Sequence, residues 1–273
     1  MEKWRRSERM VAMTKFLLEN PRQLFTLGYF SELFHSAKSS ISEDLTIIRE
    51  TLQAMGEGTL ETIPGAAGGV KYIPISNPEK ESEFLDNLSQ RLADPQRILP
   101  GGYLYMTDII YDSNIIAKLG NIFFTRFIQH EPDYIVTVET KGIPLALMTA
   151  KAFNKPLVII RADSRVTEGS ALSINYVSGS SKKIGTMSLA RRALPTDSKV
   201  IIIDDFMKAG GTARGMVDLM KEFKAEVLGI GVLMDTLEPQ EKLIDNYLGL
   251  LELVELDEKN KRVIIRKKVE NHV

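Results

Sequence analysis

Residues 200–212 read Val200-Ile201-Ile202-Ile203-Asp204-Asp205-Phe206-Met207-Lys208-Ala209-Gly210-Gly211-Thr212. The four β-branched residues at the start predict a buried strand. Two carboxylates follow where that strand ends, and a short loop of small residues then leads into a helix that we expect to begin at Thr212. This order indicates an α/β fold with a ligand site at the carboxyl end of one of its strands.

The loop after the strand has the features of a phosphate site. The first N–H groups of a helix have no partner within it, and the helix dipole favours an anion there. The two glycines let the backbone approach closely, Thr212 adds a hydroxyl and Lys208 a cation. Asp204 and Asp205 can accept hydrogen bonds from ribose hydroxyls, so the whole segment 204–212 fits a sugar phosphate. A buried strand that merely ends in a polar turn is the alternative, and it would explain a lone Gly-Gly pair better than this complete run.

Strand-like and helical runs alternate on both sides of this stretch. The strand-like runs are Tyr134–Val138, Leu157–Ile160, Val200–Ile203 and Val227–Leu233, and the clearest helices are Ile143–Phe153 and Thr212–Phe223. Such alternation predicts an α/β domain over residues 103–273 with a largely parallel central sheet.

The 200–212 run resembles the motif that binds phosphoribosyl pyrophosphate (PRPP) in the type I phosphoribosyltransferase fold. The resemblance covers about Tyr103 to Met234. Glu139-Thr140-Lys141-Gly142 follows a strand and precedes a helix, as the pyrophosphate loop of that family does. The resemblance implies that Thr140, Lys141 and Gly142 contact the effector and that a cis peptide bond joins Thr140 to Lys141. An ordinary strand–helix turn is the alternative.

A polar segment from Arg161 to Leu189 is similar in position to the mobile loop of the same family. Its core is Ser173-Ile174-Asn175-Tyr176-Val177-Ser178-Gly179-Ser180-Ser181-Lys182-Lys183. We expect contacts to a polyphosphate from Arg161, Tyr176, Ser178, Gly179, Ser180, Ser181 and Lys182, because hydroxyls and cations bind phosphate oxygens. The alternative is a solvated loop. Tyr103, beside Gly101-Gly102, is either a further ligand contact or an aromatic that packs the domain junction.

Residues 1–74 predict three helices followed by a β-hairpin. We expect the first helix to bury Met10, Val11, Thr14, Leu17 and Leu18, and Thr26 to cap the second. In the third, Ile41, Leu45, Ile48, Leu52 and Met55 share one face. The β-prone runs Thr59–Ile63 and Val70–Ile73 are joined by Pro64-Gly65-Ala66-Ala67-Gly68-Gly69, a turn that requires positive φ. This order is typical of an N-terminal winged helix-turn-helix.

Repeated prolines separate the two regions of the chain. Between them lies one predicted helix, on which Phe84, Leu85, Leu88 and Leu92 form an apolar face. We therefore assign residues 1–74 to a winged-helix DNA-binding domain, 75–102 to a linker or dimer-contact helix, and 103–273 to an effector-binding domain.

The polar face of the third helix suggests contacts to double-stranded DNA, since short hydroxyls and an arginine suit groove and phosphate contacts. The start of this helix and the basic N-terminus add phosphate contacts, and the glycines of the turn would lie close to a groove. The predicted contacts are Arg5, Arg6, Arg9, Lys38, Ser39, Ser40, Ser42, Thr46, Arg49, Gly68 and Gly69. The alternative is a solvated face of a dimerisation domain, which Glu43, Asp44 and Glu50 favour because carboxylates repel phosphates.

Composition excludes several classes of protein. The 273 residues contain no cysteine and only three histidines, so we expect neither disulfides nor a protein-held metal site. No apolar run is long enough for a membrane helix, and the N-terminus lacks a signal-type segment, so a cytoplasmic location is expected. Basic and acidic residues balance over residues 1–74. DNA affinity would therefore require two copies of this domain, which predicts a homodimer.

A winged helix joined to a PRPP-type domain resembles the purine operon repressors of Gram-positive-type bacteria over nearly the full chain. The match is carried by Ala37–Asp44, Pro64–Gly69, Ile98–Tyr103 and Asp204–Thr212. The resemblance implies a homodimer that binds operator DNA, represses purine synthesis and salvage genes, and is released by PRPP.

One feature of the loop favours sensing over turnover. Lys208-Ala209 stands where the enzymes of the fold usually have a small or acidic residue followed by threonine. The alternatives are a purine phosphoribosyltransferase of the xanthine or adenine type, which requires Mg²⁺, and a repressor whose effector in the same pocket is guanosine tetraphosphate. The sequence leaves open whether Mg²⁺ accompanies PRPP.

Overall fold

The computed structural model describes residues 4–65, 68–162, 169–177 and 184–268. The chain divides into two compact units, one made of Met1–Glu81 and Lys151–Asn154, the other of Ser82–Ala150 and Lys155–Val273. Within the described ranges, no helix is both long enough and apolar enough to span a membrane.

The N-terminal unit contains a winged helix. Three helices, α1 (Arg6–Glu19), α2 (Leu27–Phe34) and α3 (Lys38–Met55), precede the antiparallel strands β1 (Thr59–Ile63) and β2 (Gly69–Ile73). An isolated antiparallel bridge between Phe25 and Val70 joins the segment before α2 to this hairpin. The predicted order of three helices and a hairpin is confirmed.

Local signals explain where these helices begin and end. The Thr26 hydroxyl accepts a hydrogen bond from the Tyr29 N–H (3.0 Å) and caps α2 as predicted. Gly56 ends α3 in the left-handed conformation, at a φ of 65°. The predicted apolar face of α3 is buried except for Met55, which lies in the last turn and is exposed.

The prediction for α1 is partly wrong. Its buried residues are Arg9, Met13 and Leu17, whereas Val11 is 70% exposed and Leu18 is also exposed. Apolar residues lie on more than one face of this helix, so their spacing alone does not predict which face is buried. The buried residues are spaced four apart, and the first of them is the charged Arg9.

The C-terminal unit is built on a six-stranded sheet in the order β12-β11-β10-β9-β5-β6. These strands are β5 (Tyr134–Val138), β6 (Leu157–Ile160), β9 (Lys199–Met207), β10 (Glu226–Thr236), β11 (Leu248–Asp257) and β12 (Arg262–Lys267). All neighbours pair in parallel except β11 and β12. The predicted largely parallel sheet is confirmed, and β11 and β12 extend it beyond the predicted strands.

The remaining elements surround this sheet. They are α4 (Pro78–Leu92), which contains the boundary between the two units, β3 (Ile98–Leu99), β4 (Tyr103–Leu104), α5 (Thr107–Ile110), α6 (Ser113–Arg126), α7 (Gly142–Phe153), β7 (Ala171–Val177), β8 (Ile184–Ala190) and α8 (Gly211–Glu222). Strands β7 and β8 form an antiparallel hairpin where the sequence predicted a polar loop.

The central strands position the site. Val200 to Ile203 on β9 are fully buried, as expected for a parallel strand covered on both faces. Strand β9 pairs in parallel with β5, Tyr134 lying opposite Val200. Residues 139–142, which follow β5, and residues 208–212, which follow β9, therefore emerge at the same edge of the sheet. Strand β9 runs through Asp204 and Asp205 to Met207, beyond the predicted end at Ile203.

Candidate effector cavity and nucleic-acid interface

A cavity of about 670 Å³ opens at the carboxyl ends of β9 and β10. Its lining includes Tyr103, Lys141 and every residue from Asp204 to Thr212. Most of the predicted effector contacts are thus brought together around one space, whose volume is typical of small-molecule sites.

Two adjacent carboxyls form the floor of this effector cavity. Asp204 is only 6% exposed, and its Oδ1 accepts a hydrogen bond from the Asp205 N–H (2.9 Å). Burial raises the pKa of Asp204 well above its usual value, and the charge of Asp205 raises it further. Burial also raises the pKa of Asp205, while the Asp204 hydrogen bond and the Lys141 charge oppose that rise. Ribose hydroxyls or a cation that bind to these buried carboxyls would stabilise their charged form.

The loop after the acids fits an anion. Gly210 lies at a φ of 82° and precedes α8, which begins at Gly211, one residue before the predicted start. A positive φ favours glycine, since it has no Cβ to clash with the backbone. Lys208 is exposed at the rim of the cavity, and Thr212 is half-buried within it. The Lys208 cation, the Thr212 hydroxyl and the N-terminus of α8 therefore lie at the same cavity.

The predicted pyrophosphate loop lies beside the acids. A Cβ on Gly142 would stand 2.7 Å from the Asp204 Oδ1, so only glycine fits there without displacing that carboxylate. The cis peptide bond joins Glu139 to Thr140. The predicted position, Thr140–Lys141, is wrong by one residue. Thr140 and Gly142 are not among the described residues that line the cavity.

Two further predicted contacts are placed elsewhere. The Arg161 guanidinium donates to a Glu139 carboxylate oxygen (3.1 Å), and the other oxygen of that carboxylate accepts from the Ala162 N–H (2.8 Å). The ring of Tyr176 packs against Gly185 and Gly215, where an added Cβ would lie about 3 Å from it. Neither residue is among the described residues lining the cavity. The predicted contacts Ser178, Gly179, Ser180, Ser181 and Lys182 lie outside the described residues.

A hairpin carries Tyr103 to the cavity rim. Strands β3 and β4 pair on either side of Gly101 and Gly102, whose N–H groups both donate to Glu258 Oε2 (3.0 and 3.1 Å). Tyr103 is 67% exposed and lines the cavity, so it is available to a ligand. Sequence reasoning missed Glu258, because 157 residues separate it from Gly101.

A second concave surface lies in the winged helix. It has a volume of about 540 Å³, between the start of α2, the polar face of α3 and the turn that joins β1 to β2. The predicted DNA contacts that line it are Lys38, Ser42, Thr46, Arg49, Gly68 and Gly69. Ser39 and Ser40 lie in the first turn of α3, whose N-cap residue, Ala37, has no side chain that can cap it. The N–H groups of that turn are therefore open to an anion.

The prediction that Arg9 contacts phosphates is wrong. Arg9 is 7% exposed, and its Nε and Nη2 both lie 2.6 Å from Oδ2 of Asp44, which is fully buried on α3. Arg6 donates to the other oxygen of Asp44 (2.9 Å) but keeps half of its side chain exposed, and Arg5 is exposed. The Asp44 carboxylate is neutralised by this pairing, so it does not count against DNA binding.

The two units match two family models. Residues 5–74 match "Bacterial purine repressor, N-terminal", and residues 106–265 match "Phosphoribosyl transferase domain". The purine biosynthesis transcriptional repressor of Bacillus subtilis is 54% identical over 264 residues, a match covering 97% of this chain and 93% of that protein. The chain belongs to the bacterial purine repressor family. The resemblance and the fold class inferred from the sequence are confirmed.

Other members and relatives of the purine repressor family differ in what they share with this chain. The purine biosynthesis transcriptional activator of Lactococcus lactis (strain IL1403) is 38% identical, covering 96% of this chain and 97% of that protein. The xanthine phosphoribosyltransferase of Lacticaseibacillus casei is 32% identical, covering 55% of this chain and 83% of the enzyme. The adenine phosphoribosyltransferase structure from Thermoanaerobacter pseudethanolicus has a TM-score of 0.53 at 17% identity, covering 61% of this chain and 98% of that one. The transcription regulators match nearly the whole chain, whereas the enzymes match only part of it.

Proposed function

We propose that this chain represses purine biosynthesis and salvage genes by binding operator DNA through its winged helix, and that PRPP in the effector cavity releases it. The observation that carries this proposal is the match over nearly the full chain to a purine repressor, in a protein that has both a polar groove on its winged helix and a phosphate-type cavity. Acting on chromosomal DNA, such a repressor would work in the cytoplasm.

The cavity suggests how PRPP would lie. Its 5′-phosphate would accept hydrogen bonds from the N–H groups that precede and begin α8, and its ribose hydroxyls would donate to Asp204 and Asp205. Lys141 would face the pyrophosphate. Among the described residues, no group of three or more acidic or histidine side chains could hold a metal ion. If Mg²⁺ accompanies PRPP, the two carboxylates fit it, and the phosphates would complete its coordination.

The groove of the winged helix suggests how DNA would lie. Ser42, Thr46 and Arg49 project from α3 beside the turn that joins β1 to β2. Helix α3 would enter the major groove with these side chains towards base edges and phosphates. The small residues of the turn would lie close to the adjacent backbone. Because charges in residues 1–74 balance, we propose that a homodimer supplies two such contacts to one operator.

We propose sensing without catalysis. A regulator that consumed PRPP on binding would not report its concentration. The change to Lys208-Ala209 lies in the cavity itself, where a phosphoribosyl transfer would require an in-line arrangement of base and sugar. Guanosine tetraphosphate carries two pyrophosphates and is the alternative effector of the same cavity.

The test is a titration of fluorescently labelled DNA from upstream of purine genes with the purified full chain, followed by anisotropy. We expect specific binding, which falls on addition of PRPP and persists with ribose 5-phosphate alone. Guanosine tetraphosphate is titrated separately to identify the effector. A chain that binds this DNA only when PRPP is present would contradict release by PRPP and would indicate a corepressor arrangement. Equal binding to scrambled DNA would contradict the proposal.

A further inference from the structure

Lys242 lies behind the effector cavity, in the connection between β10 and β11. Its Nζ donates to the carbonyl of Lys208 (2.7 Å), the carbonyl of Thr236 (2.6 Å) and the hydroxyl of Thr236 (3.2 Å). An ammonium group has three N–H donors, so all of them are used. The contact with Lys208 joins Lys242 to the loop that precedes α8.

Two further polar contacts hold the same loop. The Thr236 hydroxyl lies 3.1 Å from the Lys208 carbonyl oxygen, and the Leu243 N–H donates to the Ala209 carbonyl (2.9 Å). Lys208 and Ala209 line the cavity, whereas Lys242 and Leu243 are not among its described lining residues. Each of the two loop carbonyls therefore accepts a hydrogen bond from residue 242 or 243, outside the described lining, while Thr236, which also approaches the Lys208 carbonyl, belongs to that lining.

The geometry of the peptide bond gives these contacts a consequence for the ligand. In a planar trans peptide, the C=O and the N–H of the next residue point in opposite directions. A Lys208 carbonyl held towards Lys242 turns the Ala209 N–H the other way, and an Ala209 carbonyl held towards Leu243 does the same for the Gly210 N–H. In the proposed binding mode, these N–H groups bind the 5′-phosphate of PRPP.

Burial and charged neighbours act in opposite directions on the ammonium group of Lys242. Burial lowers the pKa of its ammonium group, as does the neighbouring Lys268, while Asp235, Glu252 and Glu238 raise it. Lys268 is itself paired with Asp235 (2.6 Å), which is buried and also accepts from the Tyr247 hydroxyl (2.6 Å). A positive charge behind the loop adds a favourable potential for an anion in front of it.

We propose that Lys242 is a positioning residue of the effector site, which directs the N–H groups of the loop towards the 5′-phosphate of the ligand. This inference rests on the proposed function, since it concerns how the same cavity holds PRPP. It predicts that Lys242 affects the phosphate at the α8 end of the ligand and leaves the pyrophosphate end unaffected, because the three hydrogen bonds of its ammonium group go to Lys208 and Thr236.

The test compares the parent chain with Lys242→Met, which keeps the length of the side chain and removes its donors. The matched control is Lys259→Met, at an exposed lysine in the turn between β11 and β12. Calorimetry measures the Kd of PRPP, ribose 5-phosphate and inorganic pyrophosphate, and anisotropy measures operator binding without effector. We expect PRPP and ribose 5-phosphate to bind Lys242→Met at least about tenfold more weakly, a change of about 1.4 kcal/mol. Pyrophosphate and operator affinities should stay within about twofold of the parent, as should all affinities of the control.

The outcomes separate the inference from the function on which it rests. A parent that binds no PRPP would overturn the proposed function. A parent that binds PRPP, with Lys242→Met binding it equally well, would overturn the role of Lys242 alone, as would an equal loss for all three ligands in a folded variant. If circular dichroism shows that Lys242→Met does not fold, Thr236→Val decides. It removes the hydroxyl that accepts from the Lys242 Nζ (3.2 Å) and lies 3.1 Å from the Lys208 carbonyl, and it must show the same selective loss.

Discussion

Replacing Arg9 by methionine tests whether this residue stabilises the winged helix or binds DNA. The change leaves the fully buried Asp44 carboxylate with Arg6 as its remaining cationic partner, at 2.9 Å. Removing one partner of a buried ion pair costs about 3–5 kcal/mol. Since Arg6 still bonds one oxygen, we expect the lower end, about 3 kcal/mol of the free energy of unfolding. Such a loss is large for a domain whose total stability is of the order of 5–15 kcal/mol.

The single tryptophan provides the assay. Trp4 lies in the N-terminal unit with its ring edge-on to Phe34, the centroids 5.3 Å apart. Its fluorescence during urea unfolding therefore reports on this unit within the full chain. The control is Lys15→Met, which removes an exposed pair with Glu19. An exposed pair contributes about 0.5 kcal/mol or less, so this variant should unfold almost like the parent.

A double-mutant cycle tests whether Arg9 and Asp44 stabilise the winged helix as a pair. Arg9→Met combined with Asp44→Leu should lose less stability than the sum of the two single changes, because no charge then remains buried without its partner. Operator affinity of Arg9→Met, measured in buffer without urea, should equal that of the parent. If instead its stability is unchanged and its operator affinity falls, Arg9 is a phosphate contact and the reasoning is wrong.

Two other variants and one activity assay test the two sites. Arg49→Ala should weaken operator binding by about 1–3 kcal/mol in the anisotropy assay, with Lys15→Ala, an exposed cation that does not line the groove, as control and PRPP affinity unchanged. Asp204 has a raised pKa, so the folded chain binds its proton more tightly than the unfolded chain, and stability falls as pH rises above the usual value of 3.8. Asp204→Asn should therefore melt at a higher temperature than the parent at pH 7, by a margin that shrinks towards pH 4, while PRPP binding is lost; an unchanged margin would contradict this. Incubation with PRPP, Mg²⁺ and adenine, guanine, hypoxanthine or xanthine should yield no nucleoside monophosphate, and sustained turnover would favour the enzyme.

The sequence predicts those features that local pattern determines. The run 200–212 predicts a buried strand, a carboxylate pair and a helix start because each follows from neighbouring residues. The same holds for the apolar face of α3 and for the Thr26 cap. A local signal for β7 was also present, since Ser173 and Asn175 alternate with Ile174 and Tyr176, but the polar composition of that segment favoured a loop.

Contacts between distant parts of the chain account for what the sequence could not predict. Arg9 stands among other basic residues at the N-terminus and has the same local pattern as an exposed arginine. Its partner Asp44 is 35 residues away and is brought close only by the packing of α1 on α3. Lys242 lies 34 residues from the Lys208 carbonyl, and no motif marks a lysine whose partners are backbone oxygens.

The most direct test of the central claim is the operator affinity of the parent and of Asp205→Ala, each measured with and without PRPP. Allosteric coupling usually amounts to about 1–3 kcal/mol, so PRPP should weaken operator binding of the parent by about 5- to 150-fold. Asp205→Ala, which lacks one acceptor for the ribose, should bind operator as the parent does and ignore PRPP. An operator affinity of the parent that PRPP leaves unchanged, or an Asp205→Ala chain that PRPP releases as readily as the parent, would contradict the account.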